Sequence, residues 1–177
     1  STLFEPLSRI AILWKYSTFT FRLCVRMSDY RERSRERVVN MRTYVVTGAA
    51  SGIGATTAEM IASRGDRVIG VDLNESDVVA DLSTPEGRKE AVRKTLEKAQ
   101  GTAIDAVIAA AGISAPKALT VAVNYFGVTQ FLEGLAPAMA KANAPRAVVV
   151  SSMASVQQNS PKLVDAMLDG DESTALA

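Results

Sequence analysis

Thr47-Gly48-Ala49-Ala50-Ser51-Gly52-Ile53-Gly54 is the stretch whose reading decides the fold. It follows Thr43-Tyr44-Val45-Val46-Thr47, a short β-rich run that predicts a buried strand. After the last glycine the chain turns Ala-rich, with Ile53, Thr57, Met60 and Ile61 near helical spacing and Gly65 as a C-terminal stop. Strand, glycine bend and helix in that order have a physical purpose. Gly48 permits a tight turn, Gly52 lets phosphates approach the backbone, and Gly54 allows close helix–strand packing. The helix N-terminus then presents unpaired N–H groups and a positive dipole end to an anion. A glycine-rich turn with no ligand is the plainer alternative.

Working outward, Arg67-Val68-Ile69-Gly70-Val71 predicts a second strand, closed by Asp72. A carboxylate there can accept both hydroxyls of an adenosine ribose and repels a 2′-phosphate, which favours NAD over NADP. Leu73 and Asn74 offer no Arg to reverse that preference. A solvated turn acid is the competing reading of Asp72. Val78-Val79-Ala80 suggests a short third strand, and Ser83-Thr84-Pro85-Glu86 an N-cap with Pro in the first turn of a helix running to about Ala99. Ile104 to Ala110 fits a central parallel strand, Ala118 to Ala140 a long helix, and Ala147 to Ser151 a last strand. Beyond Gln157 no strand pattern remains. This alternation implies an α/β fold with right-handed crossovers: a Rossmann-type doubly wound parallel sheet of order 3-2-1-4-5, incomplete at the C-terminus.

A chain of 177 residues has room for one such domain. Net charge is +1, so nothing suggests nucleic acid or another polyanionic partner. Residues 1–40 differ from the rest, holding eight Lys/Arg against four acids. Lys15 and Arg22 interrupt any membrane-length apolar span there, and the acids in Arg31-Glu32-Arg33-Ser34-Arg35-Glu36-Arg37 argue against a transit peptide. Residues 1–40 are therefore read as a flexible or non-native basic leader ahead of a start at Met41, and residues 41–177 as the N-terminal part of a single nucleotide-binding domain. The first residue is Ser rather than Met, which fits a fragment or a processed product. Cys24 is the single cysteine, which suits a reducing, cytoplasmic setting. With no His in the sequence, a zinc site or a Ser-His-Asp triad within this chain is effectively excluded.

The spacing Thr-Gly-x-x-x-Gly-Ile-Gly resembles the short-chain dehydrogenase/reductase family. Further segments resemble it in order. Asp81-Leu82 matches a pair that touches the adenine ring. Ala110-Ala111-Gly112 matches an Asn-Ala-Gly turn, with Ala110 standing where the family has Asn. Asn124 matches a helix-kinking, water-relaying asparagine, and Ser152 in Ser151-Ser152 the catalytic serine. Val71-Asp72-Leu73, Ala80-Asp81-Leu82-Ser83-Thr84, Glu86-Gly87-Arg88-Lys89 and Val123-Asn124-Tyr125-Phe126-Gly127 resemble a bacterial branch acting on 3α-hydroxysteroids and carbonyl compounds, in which a helical insertion follows the serine motif. The resemblance implies NAD contacts at Gly48, Ser51, Gly52, Ile53, Gly54, Asp72, Asp81, Leu82, Ala111 and Gly112. It assigns Ser152 to orienting the substrate oxygen and Asn124 to holding a water. A Ser that merely caps a turn, and an Asn that merely satisfies backbone, are the plainer readings of those two residues.

The family's remaining pair is Tyr-x-x-x-Lys. Four places after Tyr16, Tyr30, Tyr44 and Tyr125 stand Thr20, Ser34, Gly48 and Thr129, so the pair is absent from this sequence. It is expected beyond Ala177 in a longer parent, and the 177 residues alone are expected to be inactive. The resemblance implies interconversion of a secondary alcohol and a ketone, by a parent forming a homodimer or homotetramer. The alternative is a non-catalytic NAD-binding module with a sensing or scaffolding role.

Overall fold

The computed structural model describes residues 41–115 and 117–177. The readings placed on residues 1–40, namely the basic leader, Cys24, Tyr16 and Tyr30, lie outside the described residues. Strand β1 (Thr43–Thr47) leads into helix α1 (Gly52–Ala62), followed by β2 (Arg67–Asp72) and the two-residue β3 (Val78–Val79). Helix α2 (Pro85–Ala99) and strand β4 (Ala106–Ala109) come next. A helix of three parts follows: α3 (Lys117–Val121), a π-helical turn (Ala122–Phe126) and α4 (Gly127–Met139). Strand β5 (Arg146–Val149), a 3₁₀ turn (Met153–Val156), α5 (Pro161–Leu168) and α6 (Glu172–Leu176) complete the chain.

All pairings are parallel and the order is β3-β2-β1-β4-β5, as the strand–helix alternation requires. The register sets Thr47 opposite Val71 on one side and Ala109 on the other. The sheet's direction of winding reverses between β1 and β4, so the crevice of a doubly wound fold opens beside Thr47. Val45, Val46, Val71 and Val107 have no exposed surface, and Phe131 and Leu135 of α4 are as deeply buried. Strand β1 thus lies at the centre of the core. Strand β5 closes one side of the sheet among the described residues, and all four of its residues are exposed.

Local signals account for the element ends. Thr84 caps α2 by accepting the Gly87 N–H at 3.0 Å, with Pro85 at the first helical position. Gly65 follows α1 at φ +83°, where a Cβ would be strained. The expected single helix from Ala118 to Ala140 is instead interrupted by the π turn, which the Gly127 N–H closes by bonding to the Ala122 carbonyl five residues back. Beyond Gln157, α5 and α6 form a helical pair. Ala166, Met167 and Ala175 pack with Phe126 of the π turn. Among the described residues no helix is long and apolar enough to cross a membrane.

Candidate functional site

The glycine bend is held by close backbone contacts at Gly48 and Gly54. The Gly48 N–H donates to the Val71 carbonyl at 2.9 Å, starting the bend against β2. A Cβ on Gly54 would lie 2.1 Å from the Gly48 carbonyl oxygen, so the first turn of α1 sits directly on the bend. At Gly52 an added Cβ would meet nothing within 4 Å. The bend is therefore tight toward the protein at Gly54 and open outward at Gly52. That asymmetry suits a phosphate resting on the N-terminus of α1. Ser51, at the N-cap position, makes no side-chain capping bond, and Ile53 is 63% exposed despite being apolar.

Asp72 closes β2 within reach of the bend. Its Oδ2 accepts the Ala50 N–H at 3.0 Å and its Oδ1 accepts the Asn74 N–H at 2.9 Å. The carboxylate thus ties the glycine bend to the turn after β2. A carboxylate offers about four lone-pair sites, and Oδ2 carries one donor here, so acceptor capacity remains for a ribose hydroxyl. The residues present fit an adenosine diphosphate group.

Thr47 has a role that the sequence reading left unassigned. Its buried Oγ1 accepts two backbone N–H groups, from Ala110 at 3.1 Å and Ala111 at 3.0 Å. One hydroxyl at the end of β1 thereby fixes the turn that follows β4. Ala110, standing where the family has Asn, contributes only backbone to this arrangement. The only prior signal was the Thr that opens the glycine stretch, and a β-strand Thr is ordinary enough to pass as a propensity choice.

Asn124 lies in the π turn, an irregularity found frequently at functional sites. Its Oδ1 accepts the Ile113 N–H and its Nδ2 donates to the Ile113 carbonyl, both at 2.9 Å. It therefore clamps the loop after β4 at a residue two beyond the last Thr47 contact, with Gly112 beside it. The neighbouring Tyr125 points away from any proton-transfer role: its hydroxyl donates to the Met167 carbonyl at 2.8 Å, and burial, with the Glu133 charge second, pushes its phenol up.

Asp81 and Leu82 follow β3. The Asp81 Oδ1 accepts the Ser83 N–H at 2.8 Å and the residue is exposed, whereas the Leu82 side chain is buried. The Val150 N–H extends the β4–β5 pairing to the Ala109 carbonyl at 2.9 Å, placing exposed Ser152 two residues past the C-terminal end of the sheet. Every sequence-predicted residue therefore lies at or just past the C-terminal end of a strand or flanks the loop after β4. Apolar side chains line the same end: Ile53 after β1, Leu73 after β2, Ile113 after β4 and Met153 after β5 are all exposed. Exposed apolar groups beside a few fixed polar ones are the usual lining of a small-molecule cleft.

A family model described as short chain dehydrogenase matches residues 42–164. The chain belongs to this family. It is 37% identical over 142 residues to the 3-alpha-hydroxysteroid dehydrogenase/carbonyl reductase of Comamonas testosteroni, an alignment covering 77% of this chain and 55% of that protein. Its structure superimposes with a TM-score of 0.70 on the 3-alpha-hydroxysteroid dehydrogenase of Pseudomonas sp. B-0831 complexed with NADH, at 44% identity, covering 76% of this chain and 54% of that one. A more distant relative from Beutenbergia cavernae, with bound NADP, aligns at 28% identity with a TM-score of 0.57, covering 67% of this chain and 57% of its own. The chain spans about half the length of these relatives.

Proposed function

We propose that the chain binds an adenine dinucleotide across the C-terminal ends of β1, β2 and β4, taking NAD in preference to NADP. In this reading it forms the nucleotide-binding part of an oxidoreductase that interconverts a secondary alcohol and a ketone. The observation that carries the proposal is the Asp72 carboxylate bonded to the Ala50 amide of an outward-open glycine bend. An anion at that position favours a free 2′-hydroxyl and repels a 2′-phosphate by like charge. The hydroxysteroid relatives, one of them complexed with NADH, support a 3α-hydroxysteroid or carbonyl substrate.

The nicotinamide, when bound, supplies or accepts the hydride. The chain's own residues bind and orient. Gly48, Ser51, Gly52, Ile53 and Gly54 receive the diphosphate, Asp72 the adenosine ribose, and Asp81 with Leu82 the adenine edge. Ala111 and Gly112, pinned by Thr47 and Asn124, shape the wall that follows β4. The Ser152 hydroxyl orients the substrate oxygen by hydrogen bonding. Asn124 holds the β4 loop through Ile113, and in the full reaction holds a water as well. The proton donor and its cationic neighbour are not among these residues: a Tyr-x-x-x-Lys pair is absent from the sequence. A longer parent supplying that pair would act in the cytoplasm as a homodimer or homotetramer.

A non-catalytic, NAD-binding module is the second reading, favoured by an Asn124 amide whose oxygen and nitrogen both already bond the Ile113 backbone. Titration calorimetry of the 177-residue chain with NAD and NADP tests the binding claim common to both. Saturable uptake with NAD the tighter ligand is expected, and absence of uptake overturns both readings. Incubation with NAD and a secondary alcohol should yield no NADH from this chain, and a parent carrying the Tyr-x-x-x-Lys pair should yield it. A parent that binds NAD without turnover favours the module.

A further inference from the structure

The most deeply buried cation among the described residues is Arg88 on α2, 1% exposed, and the chemistry above does not use it. Its guanidinium has five N–H donors in a fixed fork, and the structure gives all three nitrogens partners. Nε donates to Gln130 Oε1 at 2.8 Å, and Nη1 to the carbonyls of Leu82 at 3.1 Å and Ala122 at 3.5 Å. Nη2 donates to both carboxylate oxygens of Glu172, at 2.5 and 2.6 Å. Gln130 Nε2 also donates to Glu172 Oε2, at 3.3 Å. A planar fork with fixed donor directions suits such a junction, which Lys, with a single ammonium, does not reproduce.

These partners belong to three separate parts of the fold. Leu82 follows β3 at the proposed adenine end, Ala122 opens the π turn that carries Asn124, and Glu172 begins α6. The Leu82 backbone also passes close to the start of α4, because a Cβ on Gly127 would lie 3.2 Å from its carbonyl oxygen. Leu82 thus neighbours both the start of α4 and the Arg88 guanidinium. The α5–α6 pair touches the same π turn through Met167 and Ala175, packed on Phe126.

We propose that Arg88 is a positioning residue that couples occupancy of the adenine end to docking of the α5–α6 pair. The proposal rests on the dinucleotide reading of the site. With Glu172 engaged, the guanidinium is held where it fixes the Leu82 carbonyl. With Glu172 lost, one side of the guanidinium is unpaired and Leu82 is less well defined. Coupling of this kind is reciprocal: whatever α6 contributes to ligand affinity, the ligand returns as tighter docking of α6.

Hydrogen exchange measured by mass spectrometry on the 177-residue chain, with and without ADP-ribose, tests the link. Addition of ADP-ribose should slow exchange in residues 161–176, which supply none of the proposed ligand contacts. Glu172→Gln, of the same shape, should abolish that protection and weaken ADP-ribose binding about tenfold. Arg88→Lys should do the same. Glu90→Gln, which removes an exposed α2 ion pair with Arg93, should leave affinity unaltered and serves as the control. Lower thermal stability with unchanged ADP-ribose affinity overturns the proposal, because a purely structural pair gives that result. If a variant fails to fold, the unaltered chain still decides: saturable ADP-ribose binding without protection of residues 161–176 sinks the link alone. Absence of any binding sinks the link together with the dinucleotide reading.

Discussion

Replacing Thr47 by Val tests whether one hydroxyl organises the turn after β4. The substitution keeps the β-branched shape in a strand position 2% exposed and removes only the oxygen that accepts the Ala110 and Ala111 N–H groups. A backbone donor left unsatisfied in a buried setting costs about 1–3 kcal/mol. Both donors belong to half-buried residues, where water recovers part of the loss, so about 2–3 kcal/mol in total is expected. That is a large fraction of a domain's usual stability of about 5–15 kcal/mol. Thr47→Ser keeps the oxygen and loses a methyl, worth about 0.8 kcal/mol by burial alone. Urea unfolding of both variants should therefore rank Ser above Val, with unchanged m-values. Amide exchange at Ala110 and Ala111 should accelerate in Val and remain slow in Ser. Equal stability of Val and the parent, or a Ser variant as damaged as Val, would refute the reasoning.

Three other perturbations follow from the same geometry. Gly54→Ala places a Cβ 2.1 Å from the Gly48 carbonyl oxygen, an overlap with backbone that should cost about 1–3 kcal/mol or more in thermal or urea unfolding; a variant as stable as the parent contradicts the packing described. Asp72→Ala removes the anion that accepts the Ala50 N–H and should weaken NAD binding more than NADP binding in calorimetric titrations, whereas equal losses undo the ribose assignment. The Asp171 carboxylate accepts from the Thr174 hydroxyl, the Ser173 hydroxyl and the Thr174 N–H at the start of α6, and the Thr174 hydroxyl chiefly lowers its pKa from 3.8 to about 2. A depressed carboxylate stabilises the fold fully above its unfolded value and loses that contribution as pH falls through the folded one. The cap should therefore hold at neutral pH and fail between about pH 4 and 2. A carbon-detected NMR titration of Asp171 with its midpoint near the unfolded value would contradict this.

The order of the sheet was legible because strand, glycine bend, helix and acid each speak locally. Val45 and Val46 read as buried strand from their own neighbours, and Thr84-Pro85 as a helix start from capping chemistry alone. The π turn at Ala122–Phe126 is not legible in the apolar periodicity, which continues that of the flanking helices; only the resemblance of Asn124 to a helix-kinking asparagine points to it. The extra residue in that turn pays off only in three dimensions, through the Gly127 bond to Ala122 and the Asn124 clamp on Ile113. The Thr47 hydroxyl's role is hidden in the sequence for a related reason: its partners stand 63 and 64 residues away. Arg88 is the extreme case, an ordinary-looking charge on a polar helix whose burial depends on Glu172, 84 residues downstream. The ligand-facing elements are local in sequence, while the groups that hold them in place are remote. Substitutions at the latter should therefore alter affinity through backbone placement rather than through direct contact. The two mechanisms differ in their reading: removing Asp72 should change which dinucleotide is preferred, whereas breaking Thr47 or Arg88 should weaken NAD and NADP alike.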